Sequence, residues 1–177
     1  MRSNNGNTTS VDLRAILEGL LKADVDFILV GGLAAVIQGA PVTTIDVDIV
    51  YCRSPGNVSK LMSFLQSIDA IHRRLDNEII EPKEEDFAGM GHALFVTRLG
   101  PLDVLASIEQ GKKYEDLLEH IIEIEFRGRI MQVLDIGKLI ELKKASKDLK
   151  DKQRLPVLEE TLRQLKQAGE PGDGGGE

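Results

Sequence analysis

The sequence predicts a protein of the α/β (α+β) class, with a helical segment at its C-terminal end. Residues 45–51 are β-branched and alternate apolar with acidic side chains, as a strand does. Apolar residues at 13, 16, 17, 20 and 21 recur instead at helical spacing. Residues 138–166 have a helical composition, with a break expected near Pro156.

Size and composition favour one domain. The chain has 177 residues and 42% hydrophobic content, enough for a single core. We expect this domain to span residues 10–167 and to become helical from about residue 136. The polar residues 1–9 are predicted to form a flexible arm, and residues 168–177, which include five glycines, a disordered tail.

The first elements follow from capping signals and apolar runs. Thr9 and Asp12 have the spacing of a capping box, which predicts an amphipathic opening helix. Residues 26–30 are predicted to form a buried strand that ends at a Gly31-Gly32 turn. A second helix is expected over residues 33–38, because Gly39 and Pro41 follow it.

The next strand carries two acidic residues. Over residues 45–51, alternation puts the side chains of Asp46 and Asp48 on one face of the strand. The opposite face is then expected to hold Ile45, Val47 and Ile49. A turn is predicted at residues 54–57, before an apolar helical stripe that extends to Ile68.

The second half is predicted to begin with a surface loop over residues 69–91, with a short strand at 78–81. Strands at 92–98 and 102–106 should pair antiparallel, which places Asp103 near the start of the second strand. The elements expected after them are a helix at 112–118 and a hairpin whose strands cover 121–126 and the residues up to 134.

Charge and cysteine content limit the partners. A net charge of -7 argues against a broad nucleic-acid or anionic membrane surface, and 4% aromatics with no tryptophan argue against base stacking. Cys52 is the single cysteine, so no internal disulfide is expected. With no signal-peptide pattern and no apolar run of ~20 residues, the sequence favours a cytoplasmic protein without a membrane partner.

Three features occur in an order that predicts a phosphate and metal site. Gly31 and Gly32 lack side chains, so a triphosphate can approach the backbone where a helix begins. Asp46 and Asp48 offer the hard oxygen ligands that Mg²⁺ prefers. If Asp103 lies on a neighbouring strand, three carboxylates converge and a divalent cation would relieve their repulsion. In a two-metal arrangement, Asp46 and Asp48 would hold the nucleotide metal, while Asp103 would help to bind the second metal and can serve as a general base.

These motifs resemble the polymerase-beta-like nucleotidyltransferase superfamily, and in particular its small branch of type IV toxin nucleotidyltransferases and related proteins. The resemblance covers roughly residues 26–162. The stretches that carry it are residues 27–32, 44–50, 100–105, 111–117 and 139–146, with Lys150 and Asp151 beyond them.

The resemblance implies a mixed sheet flanked by helices, dependence on Mg²⁺ or Mn²⁺, and transfer of a nucleoside monophosphate from a nucleoside triphosphate such as ATP. The acceptor would be a hydroxyl of an unknown protein, RNA or small molecule. The expected catalytic and metal-binding residues are Asp46, Asp48 and Asp103. The expected nucleotide-binding residues are Gly31, Gly32, Thr44, Lys144 and Lys150.

Other interpretations stay open at this stage. An isolated Asp-x-Asp pair is a weak motif, and Gly31-Gly32 can simply end a strand and allow close packing. Val42 stands where relatives often carry arginine, and Lys147-Asp148 where they often carry Gly-Arg. These departures favour the alternative of a catalytically decayed nucleotide-binding or antitoxin-like interaction module. A purely structural interaction protein is the third class.

Overall fold

The structure is a computed structural model that describes residues 10–169. The expected arm at 1–9 lies outside the described residues, as do residues 170–177 of the expected tail. The helices are α1 Leu13–Lys22, α2 Gly31–Ile37, α3 Pro55–Ser67, α4 Tyr114–Leu117, α5 Ile136–Ala145 and α6 Leu149–Gly169. The strands are β1 Phe27–Val30, β2 Val47–Tyr51, β3 Ile71–His72, β4 His92–Thr97, β5 Gly100–Leu105, β6 Ile121–Phe126 and β7 Arg129–Leu134.

The strands form one mixed sheet of seven, in the order β3-β4-β5-β2-β1-β7-β6. At its centre, β2 pairs antiparallel with β1 and parallel with β5, while β1 pairs parallel with β7. The remaining pairs, β3 with β4, β4 with β5 and β6 with β7, are antiparallel. The mixed sheet with flanking helices and a helical C-terminal segment, expected for this class, is therefore confirmed.

The core lies around the two central strands. All four side chains of β1 are buried, as are the side chains of Val47, Ile49 and Val50 on β2. Helix α1 adds the buried side chains that its amphipathic pattern predicts, and its first turn is capped by Asp12, whose Oδ1 accepts from the backbone N–H of Ala15 at 3.0 Å. Burial of these apolar side chains is what holds the two strands in the middle of the molecule.

A buried asparagine fixes how β1 and β2 meet. The Asn57 side chain is only 3% exposed. Its Nδ2 donates to the carbonyl oxygens of Asp26 at 2.9 Å and Cys52 at 2.7 Å, and its Oδ1 accepts from the Asp26 N–H at 2.7 Å. These bonds join the start of β1 to the residue after β2, and the register they support pairs Val30 with Asp48.

Two predicted turns are in fact the first turns of helices. Helix α2 begins at Gly31 rather than at residue 33, so the two glycines form the start of the helix. Residues 54–57, predicted as a turn, start α3 instead. The physical reason is a capping sequence, because Ser54 Oγ accepts from the Asn57 N–H at 3.3 Å and Pro55 occupies the first helical position, where its missing N–H costs nothing.

Strand β2 begins at Val47, later than predicted. Ile45 was expected on the buried face but is 65% exposed, because the chain before Val47 is not yet paired in the sheet. The strand predicted at residues 78–81 is absent among the described residues of that segment, whose short strand is β3. The predicted helix at 112–118 is confined to α4, with a 3₁₀ turn after it.

The C-terminal helical segment breaks before Pro156 rather than at it. Helix α5 ends at Ala145, Ser146 is extended, and α6 begins at Leu149. Asp148 Oδ1 accepts from the Lys150 N–H at 2.8 Å, so a cap at this point starts the new helix. Pro156 and residues 168–169 lie inside α6. Among residues 10–169, no helix combines the length and apolar character needed to cross a bilayer.

Candidate metal centre

Asp48 and Asp103 lie opposite each other on the parallel strands β2 and β5. Paired residues on adjacent strands share one face of a sheet, so both carboxylates project to the same side. Asp46 precedes β2 by one residue, and an oxygen from each of the three side chains lies within 4.8 Å of the others. The predicted convergence of the three aspartates is confirmed, with Asp103 as the fourth residue of β5.

Burial and like charge raise the pKa of Asp48 from 3.8 to about 7. The largest cause is desolvation of the carboxyl group, followed by the charges of Asp46 and Asp103, while Lys143 acts in the opposite direction. A divalent cation would remove this repulsion. Three half-buried carboxylates that repel one another are a donor set that fits Mg²⁺ or Mn²⁺.

The first glycine of α2 is required by the position of Asp48. Gly31 has a φ of +70°, in the left-handed region. A Cβ at this position would also overlap Oδ2 of Asp48 and lie 3.0 Å from its Cγ. A Cβ on Gly32 would lie 3.2 Å from Cβ and Oγ1 of Thr44. Close packing against the carboxylate therefore explains Gly31 by itself, and phosphate binding at this turn stays a prediction.

Thr44 lies beside the cluster, and its predicted role in nucleotide binding stays a prediction. Its Oγ1 is 3.2 Å from both the carbonyl oxygen and Oδ1 of Asp46. A threonine hydroxyl has a single proton to donate, so it serves one of these two oxygens at a time. Because Asp46 lies outside the strand ladder, this contact helps to fix its carboxylate.

The two predicted lysines are placed differently. Lys144 Nζ forms an ion pair with Glu159 at 2.9 Å, and its side chain is 58% exposed. Lys150 is exposed in the first turn of α6, where its N–H donates to Asp148. Among the described residues, neither side chain forms an ion pair with the three aspartates, and their role in nucleotide binding stays a prediction.

Lys143, one residue earlier, lies at the site instead. It lines a cavity of about 180 Å³ together with Gly31 and Asp48. Its side chain is 12% exposed, and its Nζ pairs with Asp151 Oδ1 at 2.7 Å. Lys143 was not among the predicted nucleotide-binding residues. The available signal was its spacing of four residues from the buried Leu139, which puts it on the inner face of α5.

Two arginines that were not predicted as site residues also lie at the site. Arg154 Nη2 donates to the Thr43 carbonyl at 3.3 Å, and its Nη1 would lie 3.4 Å from a Cβ on Gly32. Arg73 Nη2 donates to Asp103 Oδ1 at 2.7 Å. Both side chains reach the site from segments distant in the chain, so no local sequence pattern could have indicated them.

Two solved structures share this fold. The lincosamide antibiotic adenylyltransferase LnuA, with lincomycin bound, matches with a TM-score of 0.56 and 12% identity over 84% of this chain and 95% of its own. ANT(2'')-Ia in complex with adenylyl-2''-tobramycin matches with a TM-score of 0.51 and 14% identity, over 85% of this chain and 87% of its own. No protein-family model matches the chain, and no curated protein matches it. The chain therefore shares the fold of these two nucleotidyltransferases, and it carries an acidic cluster on its sheet.

We expect Gly31→Ala to damage the carboxylate cluster, because the added methyl group must displace Asp48. Gly39→Ala is the matched control, since Gly39 also has a positive φ, +102°, but a Cβ there would meet no atom within 4 Å. In each variant, backbone strain should lower the free energy of unfolding by about 1 kcal/mol or more. Isothermal titration with Mn²⁺ should show at least a ~10-fold loss of affinity for Gly31→Ala alone. Equal losses in both variants would contradict the role of Gly31.

The raised pKa of Asp48 predicts how stability depends on pH. Between the ordinary pKa of 3.8 and about 7, the folded metal-free protein holds a proton that the unfolded chain has released. The free energy of unfolding should therefore fall as pH rises through this interval. Asp48→Asn should flatten that fall and stabilise the metal-free protein by about 2 kcal/mol at about pH 8.

Urea unfolding at about pH 5 and about pH 8, with and without Mg²⁺, measures this effect. Mg²⁺ should stabilise the wild type most at the higher pH and leave Asp48→Asn unchanged. Glu85→Gln, an exposed acid outside the cluster, is the control and should follow the wild type. A wild type whose stability rises from pH 5 to 8 without metal, in step with Asp48→Asn, would refute the electrostatic account.

Proposed function

We propose that this protein is a Mg²⁺-dependent nucleotidyltransferase that moves a nucleoside monophosphate from a nucleoside triphosphate to a hydroxyl group of an acceptor. The observation that carries the proposal is the cluster of Asp46, Asp48 and Asp103, whose oxygens lie within 4.8 Å of one another on a nucleotidyltransferase fold. Carboxylates brought this close, at the edge of a cavity lined by Lys143, are arranged for a cation and phosphate oxygens.

In the proposed reaction, the acceptor hydroxyl oxygen forms a bond to the α-phosphorus. The bond from that phosphorus to the bridging oxygen of the β-phosphate breaks, and pyrophosphate leaves. Asp103 takes the hydroxyl proton as a general base. Asp46 and Asp48 would hold Mg²⁺, which supplies neutralisation of the phosphate charge when bound.

The remaining groups would orient the nucleotide. Thr44 steadies Asp46 through its hydroxyl, and Gly31 and Gly32 bring the start of α2 close to Asp48. Lys143 would contact the triphosphate, because it is the lysine that lines the cavity beside Asp48. Lys144 and Lys150 complete the predicted nucleotide-binding set.

The two similar structures suggest which donor and which acceptor the protein uses. One similar structure is named as an adenylyltransferase and the other contains adenylyl-2''-tobramycin, which favours ATP as donor and a hydroxylated small molecule as acceptor. A protein or an RNA end are the other acceptor classes. The type IV toxin branch, a toxin–antitoxin role and a cytoplasmic location stay predictions from the sequence, as does the single domain over residues 10–167.

A catalytically decayed nucleotide-binding or antitoxin-like module is the second candidate. It is favoured by Val42, which supplies no charge where relatives often have arginine, and by the pairing of Lys144 with Glu159. Such a module would bind a nucleotide, and be stabilised by it, without transferring any part of it.

A label-transfer assay separates the two candidates. The full chain is incubated with each α-labelled nucleoside triphosphate, Mg²⁺ and cell extract as the source of acceptors. The proposal predicts transfer that Asp46→Ala reduces by ~100-fold or more, because the metal loses a ligand, whereas Glu85→Gln retains it. If a nucleotide stabilises the protein but no label is transferred from any nucleoside triphosphate, the result would instead support the binding module.

A further inference from the structure

Arg73 belongs to the same row of the sheet as two of the aspartates. Asp48 pairs with Asp103, and Asp103 pairs with Leu94 on β4. Arg73 comes directly after β3, and its N–H donates to the Leu94 carbonyl at 2.8 Å, which extends the row by one position. Residues in such a row project to one face, so the Arg73 side chain starts on the face that carries the carboxylates.

The Arg73 side chain extends along this row and contacts Asp103. Nη2 donates to Asp103 Oδ1 at 2.7 Å, and it also lies 3.3 Å from the Phe95 carbonyl oxygen. The Asp103 side chain is 14% exposed, and that of Arg73 is 37% exposed. A guanidinium stays protonated at any ordinary pH, so it brings a permanent positive charge to the third carboxylate.

The other cationic side chains near the site contact groups outside the three aspartates. Lys143 is paired with Asp151, and Arg154 donates to the Thr43 carbonyl. Among the ion pairs of the described residues, the one that reaches an aspartate of the cluster is made by Arg73. Three carboxylates, this guanidinium and one divalent ion together carry no net charge.

We propose that Arg73 takes the place of a second divalent ion at Asp103. The inference rests on the proposed function and refines the two-ion expectation from the sequence. The site then binds one ion, through Asp46 and Asp48. A second ion would have to enter a neutral cluster and break the 2.7 Å pair between Arg73 and Asp103.

Arg73 acts through Asp103 and is therefore a positioning residue. Its bond holds Oδ1, the backbone contact with Leu94 fixes where the side chain starts, and the second oxygen of Asp103 remains for the acceptor hydroxyl. The proton balance of the proposed transfer is unchanged, since the hydroxyl proton still passes to Asp103.

The number of bound ions tests the proposal without an activity measurement. Mn²⁺ alone is titrated into the full chain, and free and bound Mn²⁺ are counted by electron paramagnetic resonance. We expect one ion for the wild type and for Arg73→Lys, which keeps the charge. Arg73→Gln should bind two ions that broaden each other's resonance lines. The first of them should bind with an affinity about tenfold or more higher than that of the wild type.

Arg74→Gln is the matched control, because Arg74 is the neighbouring arginine and pairs with Asp76 and Glu78. It should bind one ion with wild-type affinity. Two ions in the wild type would overturn the proposal, as would one ion in Arg73→Gln with an affinity within about twofold of the wild type. A wild type that binds no Mn²⁺ would overturn the proposed function as well, so the two failures are distinguishable.

Discussion

Repulsion among three carboxylates is the constraint around which the rest of the site is arranged. The parallel register of β2 and β5 sets Asp48 beside Asp103, and Thr44 holds Asp46 next to them. Because Asp48 is largely withdrawn from water, its pKa rises to about 7. A cluster of this kind lowers the stability of the metal-free fold, which apolar burial elsewhere offsets, and a bound cation would relieve the repulsion.

The frame that offsets this repulsion is the buried centre of the sheet. Strands β1 and β2 are enclosed by apolar side chains, and the Asn57 amide ties one end of this pair together. The site lies at the other end, where Val30 pairs with Asp48 and Gly31 turns the chain into α2. Rigid packing at one end thus positions charged groups at the other, which is the arrangement that pre-organised catalytic sites require.

Much of this arrangement could be predicted from local patterns. The alternation before Tyr51 predicted that Asp46 and Asp48 share a face, and the two-strand unit predicted that Asp103 lies on a strand. The parallel pairing of β2 with β5, which brings the three aspartates together, was a condition of the prediction that the structure meets. The starts of two helices were predicted wrongly because their capping residues were not recognised. Ser54 and Pro55 begin a helix, and the cap at Asp148 places the C-terminal break before Pro156. Helical spacing from Leu139 was an available signal for Lys143, but Arg73 and Arg154 reach the site through tertiary contacts across long sequence separations. No periodicity encodes which of several arginines will reach a given carboxylate or carbonyl oxygen.

A crystal of the full chain soaked in Mn²⁺ tests the central claim most directly, through anomalous scattering at the manganese edge. We predict a peak bonded to carboxylate oxygens of Asp46 and Asp48 at about 2.0–2.3 Å, with Asp103 on the same face of the sheet. A carboxylate of Asp48 or Asp103 turned away from the other two, with no peak between them, would contradict the account.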